Sequence, residues 1–185
     1  MRFPKTRRGL FVCATLILVS AAIVWAATDV TVSKSDSKYA SASMTDGTYW
    51  TSVYLMESDN GLILSYGIWE RQTTYPYWVA IEQGYGEIDK SDGSIGSTSA
   101  WVDVDTSDIA TVGDGGTIDV EWTETGLYGY ESTSKNTFIQ GNVKTISFGG
   151  YSNTTAEASG TVLGEDFLGT GMIGTNKGKT IRQVK

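Results

Sequence analysis

The sequence of 185 residues has no histidine, one cysteine (Cys13) and two prolines, Pro4 and Pro76. Without histidine the chain lacks the commonest general base and metal ligand, which excludes Ser–His–Asp and Cys–His catalysis and histidine-based zinc sites. Since Cys13 is alone, no disulfide can form within the chain. These absences favour a fold stabilised by a hydrophobic core and a function that needs none of these chemistries.

The first 26 residues have the pattern of a secretory signal peptide. Residues 1–9 carry four basic side chains and no acid, and residues 10–27 form an apolar run without charge. Residues 24–26 supply a small-x-small site, which predicts cleavage after Ala26. Residues 27–185 are then one domain that is secreted, periplasmic or on the cell surface. If the leader is not cleaved, its apolar run is long enough to anchor the domain in a membrane.

The charge is strongly acidic after the leader. All 21 acidic residues but only ten of the 14 basic ones follow residue 26, which gives this part a net charge of −11. The sequence has no run of Lys and Arg of the kind that neutralises phosphates, so we expect no nucleic-acid partner. The one basic cluster along the sequence, residues 177–185, is interpreted as a solvated terminal strand or a frayed end.

Short runs of β-branched and aromatic residues, separated by Gly, Asn, Asp and Ser, are typical of an all-β domain. In Thr117–Thr123 the apolar Ile118, Val120 and Trp122 alternate with polar residues, so one face of this strand is predicted to be buried. The pattern predicts an antiparallel β-sandwich or jelly roll of about ten strands. The predicted strands are residues 30–44, 49–57, 62–71, 78–88, 97–105, 117–123, 126–133, 137–148, 154–162 and 179–184.

Trp101 stands out among the aromatic residues. In Ser99–Asp105 the apolar Ala100, Val102 and Val104 alternate with Trp101, Asp103 and Asp105. Trp101 is therefore expected on the polar face of its strand beside two carboxylates, where an indole can stack on a sugar ring while the acids accept hydroxyl hydrogens. The alternative is a tryptophan covered by a neighbouring loop or sheet.

Two further groups are candidate contacts. Tyr75 and Tyr77 flank Pro76 in a predicted loop, and loops commonly present binding residues on a rigid scaffold. Asp103, Asp105 and Asp108 could supply some of the six to eight oxygens that calcium prefers, but they lack the glycine and closing glutamate of an EF-hand loop. Calcium is the only cofactor that the sequence suggests.

Three function classes stay open. The leading hypothesis is a non-catalytic binding or structural module with an extracellular or cell-surface partner, either a polysaccharide or a protein. The second is an enzyme that acts on polysaccharide with two carboxylates; its candidate residues are Glu70, Glu82, Asp119 and Glu121. The third is a structural subunit that assembles through sheet edges, with the polar segment Val30–Met44 as the donor strand.

Two segments carry a family resemblance. Residues 118–126 (IDVEWTETG) and 156–162 (AEASGTV) resemble a group of uncharacterised small exported bacterial all-β domains, which contain similar V-x-V-x-W-T and A-x-A-x-G-x-V segments. The resemblance covers about residues 97–185. It implies a bacterial exported domain, and it implies no activity or site residue.

Overall fold

The computed structural model describes residues 29–185, so the predicted signal peptide lies outside the described residues. Ten strands and one short 3₁₀ helix, Thr106–Asp108, make up this part of the chain. The strands are β1 (Asp29–Thr45), β2 (Tyr49–Glu57), β3 (Leu62–Arg71), β4 (Trp78–Ile88), β5 (Gly93–Ile95), β6 (Ser99–Asp105), β7 (Ala110–Val112), β8 (Thr117–Gln140), β9 (Val143–Val162) and β10 (Glu165–Val184). Within residues 29–185, no helix has the length and apolarity needed to cross a membrane.

All ten strands belong to one antiparallel sheet, in the order β5-β6-β8-β9-β10-β1-β2-β3-β4-β7. The predicted all-β class and antiparallel pairing are confirmed, whereas the two separate sheets of a sandwich are not found. Instead, the sheet curls until β5 lies against strands from the middle of the order. The Lys38 Nζ on β1 donates to the Ile95 carbonyl oxygen on β5 at 3.1 Å. On β5, a Cβ added at Gly93 would lie 3.0 Å from the Leu62 side chain of β3.

The concave side of this curled sheet contains the hydrophobic core. Alternate residues of nearly every long strand point into it, as the two-residue period of a strand requires. Ile118, Val120 and Trp122 are all buried, which confirms the face predicted for Thr117–Thr123. On β9, Ala156 and Ala158 are buried beside this strand. The small side chains of β9 therefore face the large ones of β8.

Several predicted strand boundaries are wrong in the C-terminal half. The prediction ended a strand at residue 133 and began another at 137, but β8 continues through these positions to Gln140. Residues 134–136 stay in the strand because each pairs with a residue of β9. The turn lies instead at residues 141–142, between β8 and β9. The sequence also gave no prediction for the three-residue strands β5 and β7.

Four strands of the sheet extend beyond the core, and we call this extension the projecting sheet. It consists of residues 131–140 of β8, 143–152 of β9, 175–184 of β10 and 29–38 of β1, paired in ten continuous rows. The neighbouring strand β6 pairs only with residues 117–123 of β8, and β2 only with residues 39–45 of β1. Within residues 29–185, no strand pairs with either outer edge of the projecting sheet, and we call these its free edges; most of its side chains are partly or fully exposed.

Candidate binding surfaces

The first candidate surface surrounds Trp101 on the outer face of β6. Its indole is 40% exposed, while the alternate residues of the same strand are buried in the core. Trp101 lies directly opposite Glu121 of β8, and Asp103 lies directly opposite Asp119. Because directly opposed residues share a face of the sheet, the structure adds two carboxylates to those predicted beside Trp101.

Asp105 has a local structural role at this surface. One of its carboxylate oxygens accepts a hydrogen bond from the backbone N–H of Ser107 at 2.9 Å and so caps the 3₁₀ helix. This backbone hydrogen bond, together with the Ser107 hydroxyl, lowers the pKa of Asp105 below its ordinary value. Asp103 has no such contact among the described residues. It is the carboxylate of the predicted pair that remains available next to Trp101.

The described residues contain no cluster of three or more acidic, histidine or cysteine side chains arranged to hold a metal ion. Asp103 and Asp105 lie on β6, and Asp108 lies at the end of the 3₁₀ helix that follows. The Asp105 carboxylate is directed towards the Ser107 N–H of that helix. Calcium binding by these three residues stays a prediction, which a titration of the protein with calcium can test.

The second candidate surface is larger and consists of rings from β2, β3, β4 and the loop between β3 and β4. The Trp50 and Trp69 rings stack with centroids 4.7 Å apart, and the Trp78 ring meets Trp50 edge-on at 6.3 Å. In the loop, the Tyr75 and Tyr77 rings meet edge-to-face at 6.2 Å. Among the described residues no ring contact joins the two groups, but Tyr77 directly precedes Trp78 in the chain, and we call the five rings together the aromatic platform. Its tyrosines are 86% and 62% exposed, so the platform ends in open solvent.

Backbone contacts hold the aromatic platform in place. The Gln72 N–H donates to the Tyr77 carbonyl at 2.8 Å, which closes the loop that carries both tyrosines. On β3, the Trp69 indole lies over Gly67, where a Cβ would collide with the ring. The absence of a side chain at Gly67 therefore lets Trp69 lie flat along the strand and stack with Trp50. The rings are thus part of an ordered surface that does not depend on a ligand.

A charged side chain lies next to the rings. Arg71 is directly opposite Trp78, and its side chain is exposed. The Gln72 amide donates to the Glu70 carboxylate at 3.1 Å, but Glu70 lies directly opposite Tyr49 and so points away from the face that carries Trp50 and Trp69. A ligand on the platform would therefore meet apolar ring faces bordered by the Arg71 guanidinium.

The predicted contact residues are divided between two surfaces. Tyr75 and Tyr77 belong to the aromatic platform near β3 and β4, the eighth and ninth strands of the sheet order, whereas Trp101 lies on the second strand, β6. Among the described residues, no ring contact links Trp101 to the platform. Sequence reasoning assigned most other aromatic residues to the core or to cross-strand pairs, and Trp50 with Trp69 is such a pair. What it missed is that this pair is on the outer face.

The four carboxylates considered for catalysis do not form one group. Glu82 accepts a hydrogen bond from the Asp114 N–H at 2.9 Å, and Glu70 accepts one from the Gln72 side-chain amide at 3.1 Å. Asp119 and Glu121 share the outer face of β8 near Trp101. Catalysis by two of these carboxylates stays a prediction.

A cleft of about 640 Å³ opens at the end of the core opposite the projecting sheet. Asp46, Tyr49, Glu165 and Asp166 line it. The Asp46 carboxylate accepts hydrogen bonds from the Thr48 and Tyr49 N–H groups, both at 2.7 Å, which lower its pKa. These bonds stabilise the turn between β1 and β2, so they explain the position of Asp46 without a ligand.

Comparison of the chain with known proteins gave no matching family model, no similar curated protein and no similar solved structure.

Proposed function

We propose that the chain is an exported, non-catalytic binding module that takes polysaccharide on the aromatic platform. The observation that supports this most directly is that four of the five rings, those of Trp50, Tyr75, Tyr77 and Trp78, are exposed, with the half-buried Trp69 ring stacked on one of them. Large exposed apolar patches on a folded protein commonly mark an interaction site. A surface of aromatic rings bordered by polar groups fits a ligand that has both apolar faces and hydroxyl groups.

The surface around Trp101 supports the same proposal to a lesser degree. It offers a single ring with Asp103, Asp119 and Glu121 beside it. The acids can accept hydrogen bonds from hydroxyl groups, but one ring provides much less stacking area than the platform. We therefore place the main contact on the platform and a second contact at Trp101.

The test is a titration of the protein with a panel of neutral and acidic polysaccharides, in which calorimetry and intrinsic tryptophan fluorescence measure binding. We expect the double variant Tyr75→Ala/Tyr77→Ala to lose most of the binding, and Trp101→Ala to lose less. Tyr130→Ala is the matched control because Tyr130 is also an exposed tyrosine but lies on β8, away from the platform. An absence of binding to every polysaccharide, or equal losses in all three variants, would contradict the proposal.

A second candidate function is a structural subunit that assembles through strand edges. It is favoured by one observation, the two free edges of the projecting sheet, because an unpaired edge strand is a template for another chain. Of the segment Val30–Met44, residues 39–43 are already paired on both sides and Met44 is paired with β2, so the first part of β1 is the part with a free edge. Concentration-dependent assembly in size-exclusion chromatography with light scattering, without polysaccharide binding, would favour this candidate.

The enzyme hypothesis has its own readout. Release of reducing sugar from the same polysaccharide panel would show catalysis. The binding proposal expects none, since it assigns Asp119 and Glu121 to ligand contact near Trp101, while Glu70 and Glu82 accept hydrogen bonds within the fold.

A further inference from the structure

One face of the projecting sheet combines cationic and apolar side chains, and we call it the lysine face. It is the continuation of the core-facing side of β1, β9 and β10, because the even-numbered residues of β1 include both Val32 and the buried Ala40. Its cations are Lys34, Lys135, Lys144, Lys177 and Lys179. Its apolar members are Val30, Val32, Ile139, Ile146, Phe148 and Ile181. The opposite face carries mainly Ser, Thr, Asn and Gly.

The face also carries two acids, Asp36 directly opposite Lys177 and Glu131 at its base, whereas Lys34, Lys135, Lys144 and Lys179 have no acid of the described strands directly opposite them. Lys34 lies directly opposite Lys179, an arrangement that is unfavourable for two like charges. The Lys135 ammonium lies 5.5 Å from the centre of the Phe148 ring, which offers a weak attraction without a counter-charge. Among residues 29–185 the one salt bridge joins Lys38, at the base of the projecting sheet, to Glu57 at 3.3 Å. An external anion would therefore relieve a repulsion that the fold itself leaves in place.

A hollow runs across the lysine face. Gly150 has no side chain, and it lies between Phe148 and Ser152 on the same face of β9. The resulting groove has a volume of about 310 Å³ and is lined by Lys177 and Lys179 on the neighbouring strand β10. The cations and the Phe148 ring thus border one depression in an otherwise open sheet.

We propose that the lysine face docks on an anionic lipid surface. Such a surface offers negative headgroups to the lysines and an apolar layer to side chains such as Val32, which is 52% exposed. A soluble polyanion would match the charges but would leave the apolar side chains in water. Most of the acidic residues lie in the rest of the chain, so electrostatic repulsion would keep that part away from the lipid and orient the molecule. This proposal goes beyond polysaccharide binding and does not depend on it.

The experiment places a reporter on each face of one strand. In a Cys13→Ser background, Val32→Cys and Ser33→Cys are labelled separately with an environment-sensitive fluorophore. Adjacent residues of β1 point to opposite faces, so the two labels differ only in the face they report. With vesicles that contain phosphatidylglycerol, we expect dehydration of the label at position 32 and not at position 33. With pure phosphatidylcholine vesicles, neither label should respond, whether or not the leader segment itself inserts.

Charge variants test the role of the lysines in the same assay. The double variant Lys177→Gln/Lys179→Gln should weaken the response at position 32 by about tenfold, because each basic residue near an anionic surface adds to the attraction. Arg71→Gln is the matched control, since Arg71 is an exposed cation at the end of β3 that lies away from the projecting sheet. In the protein that keeps all its lysines, added salt should also reduce the response of the label at position 32, because salt screens the attraction between the lysines and the lipid headgroups.

Three results would overturn the proposal. They are equal responses to both lipid compositions, equal responses of the two labels, and an unchanged response in the Lys177→Gln/Lys179→Gln variant. Dehydration of the label at position 32 that grows with protein concentration in the absence of lipid would also overturn it. That last result would show that a second copy of the chain covers the face. Circular dichroism of each variant separates loss of docking from loss of the fold.

Discussion

Ala158 lies directly opposite Trp122 in the core, on the neighbouring strand β9. On the other side of the same row, Ala100 of β6 is also opposite Trp122. All three side chains are buried. The indole is therefore accommodated between two small residues, and the A-x-A spacing on β9 has a packing role.

We predict that Ala158→Leu destabilises the fold by about 1–3 kcal/mol, because the added carbons have to enter space that Trp122 fills. Urea denaturation of the purified variant measures the change in the free energy of unfolding. Ser159→Leu is the control, since the neighbouring side chain points to the outer face and is exposed. It should change stability by about 0.5 kcal/mol or less. Equal effects of the two variants would contradict this packing.

The aromatic platform can be disturbed without removing any ring. We predict that Gly67→Ala displaces Trp69, since the new Cβ would collide with the indole, and that the stack with Trp50 is lost. Near-ultraviolet circular dichroism should lose the signal of the coupled indoles, and polysaccharide binding should weaken. Ser65→Ala, two residues earlier on the same face of β3, should leave both unchanged. If Gly67→Ala keeps the dichroism signal, the stack does not depend on the missing side chain.

The hydrogen bond from Ser107 lowers the pKa of Asp105 below 3.8 in the folded state. A lowered folded-state pKa stabilises the fold above the unfolded-state pKa, and this contribution disappears as the pH falls through the folded-state value. We expect carbon-detected NMR titration to show the Asp105 carboxyl titrating below an ordinary aspartate. Asp105→Asn should keep the cap and lose its pH dependence, whereas Asp105→Ala should lose both. A titration at the ordinary value would contradict the capping role.

Burial raises the pKa of the Tyr66 hydroxyl above 10.0, the nearby Thr106 side chain partly offsets this, and the Glu82 charge adds a smaller increase. A raised folded-state pKa stabilises the fold below the unfolded-state pKa, and the contribution is lost as the pH rises through the folded-state value. We therefore predict that the protein loses stability in alkali and that Tyr66→Phe loses less. Tyr85→Phe is the control because Tyr85 is mostly exposed. Thermal unfolding of the three proteins, below and above the pH at which tyrosine ordinarily titrates, measures how much stability each one loses.

The lysine face shows where sequence reasoning fails. The sequence places Lys177 and Lys179 in a solvated terminal strand or frayed end, and apart from each other their nearest basic neighbour along the chain is Arg182. In the fold, Lys179 has Lys34 directly opposite it on one side and Phe148 on the other. These contacts join residues about 145 and 31 positions apart along the chain. Composition and local pattern cannot report a pairing over such separations.

The sequence by itself determined the all-β class, the bounds of β2, β3 and β4, and the buried face of residues 117–123. These features are local, since a strand alternates its side chains every two residues and turn residues end it nearby. The tertiary structure alone decided that the strands join into one curled sheet, that four of them continue past the core, and which exposed side chains share a face. Strand order and register depend on hydrogen bonds between distant segments, and a register shift of one residue would move every side chain to the other face.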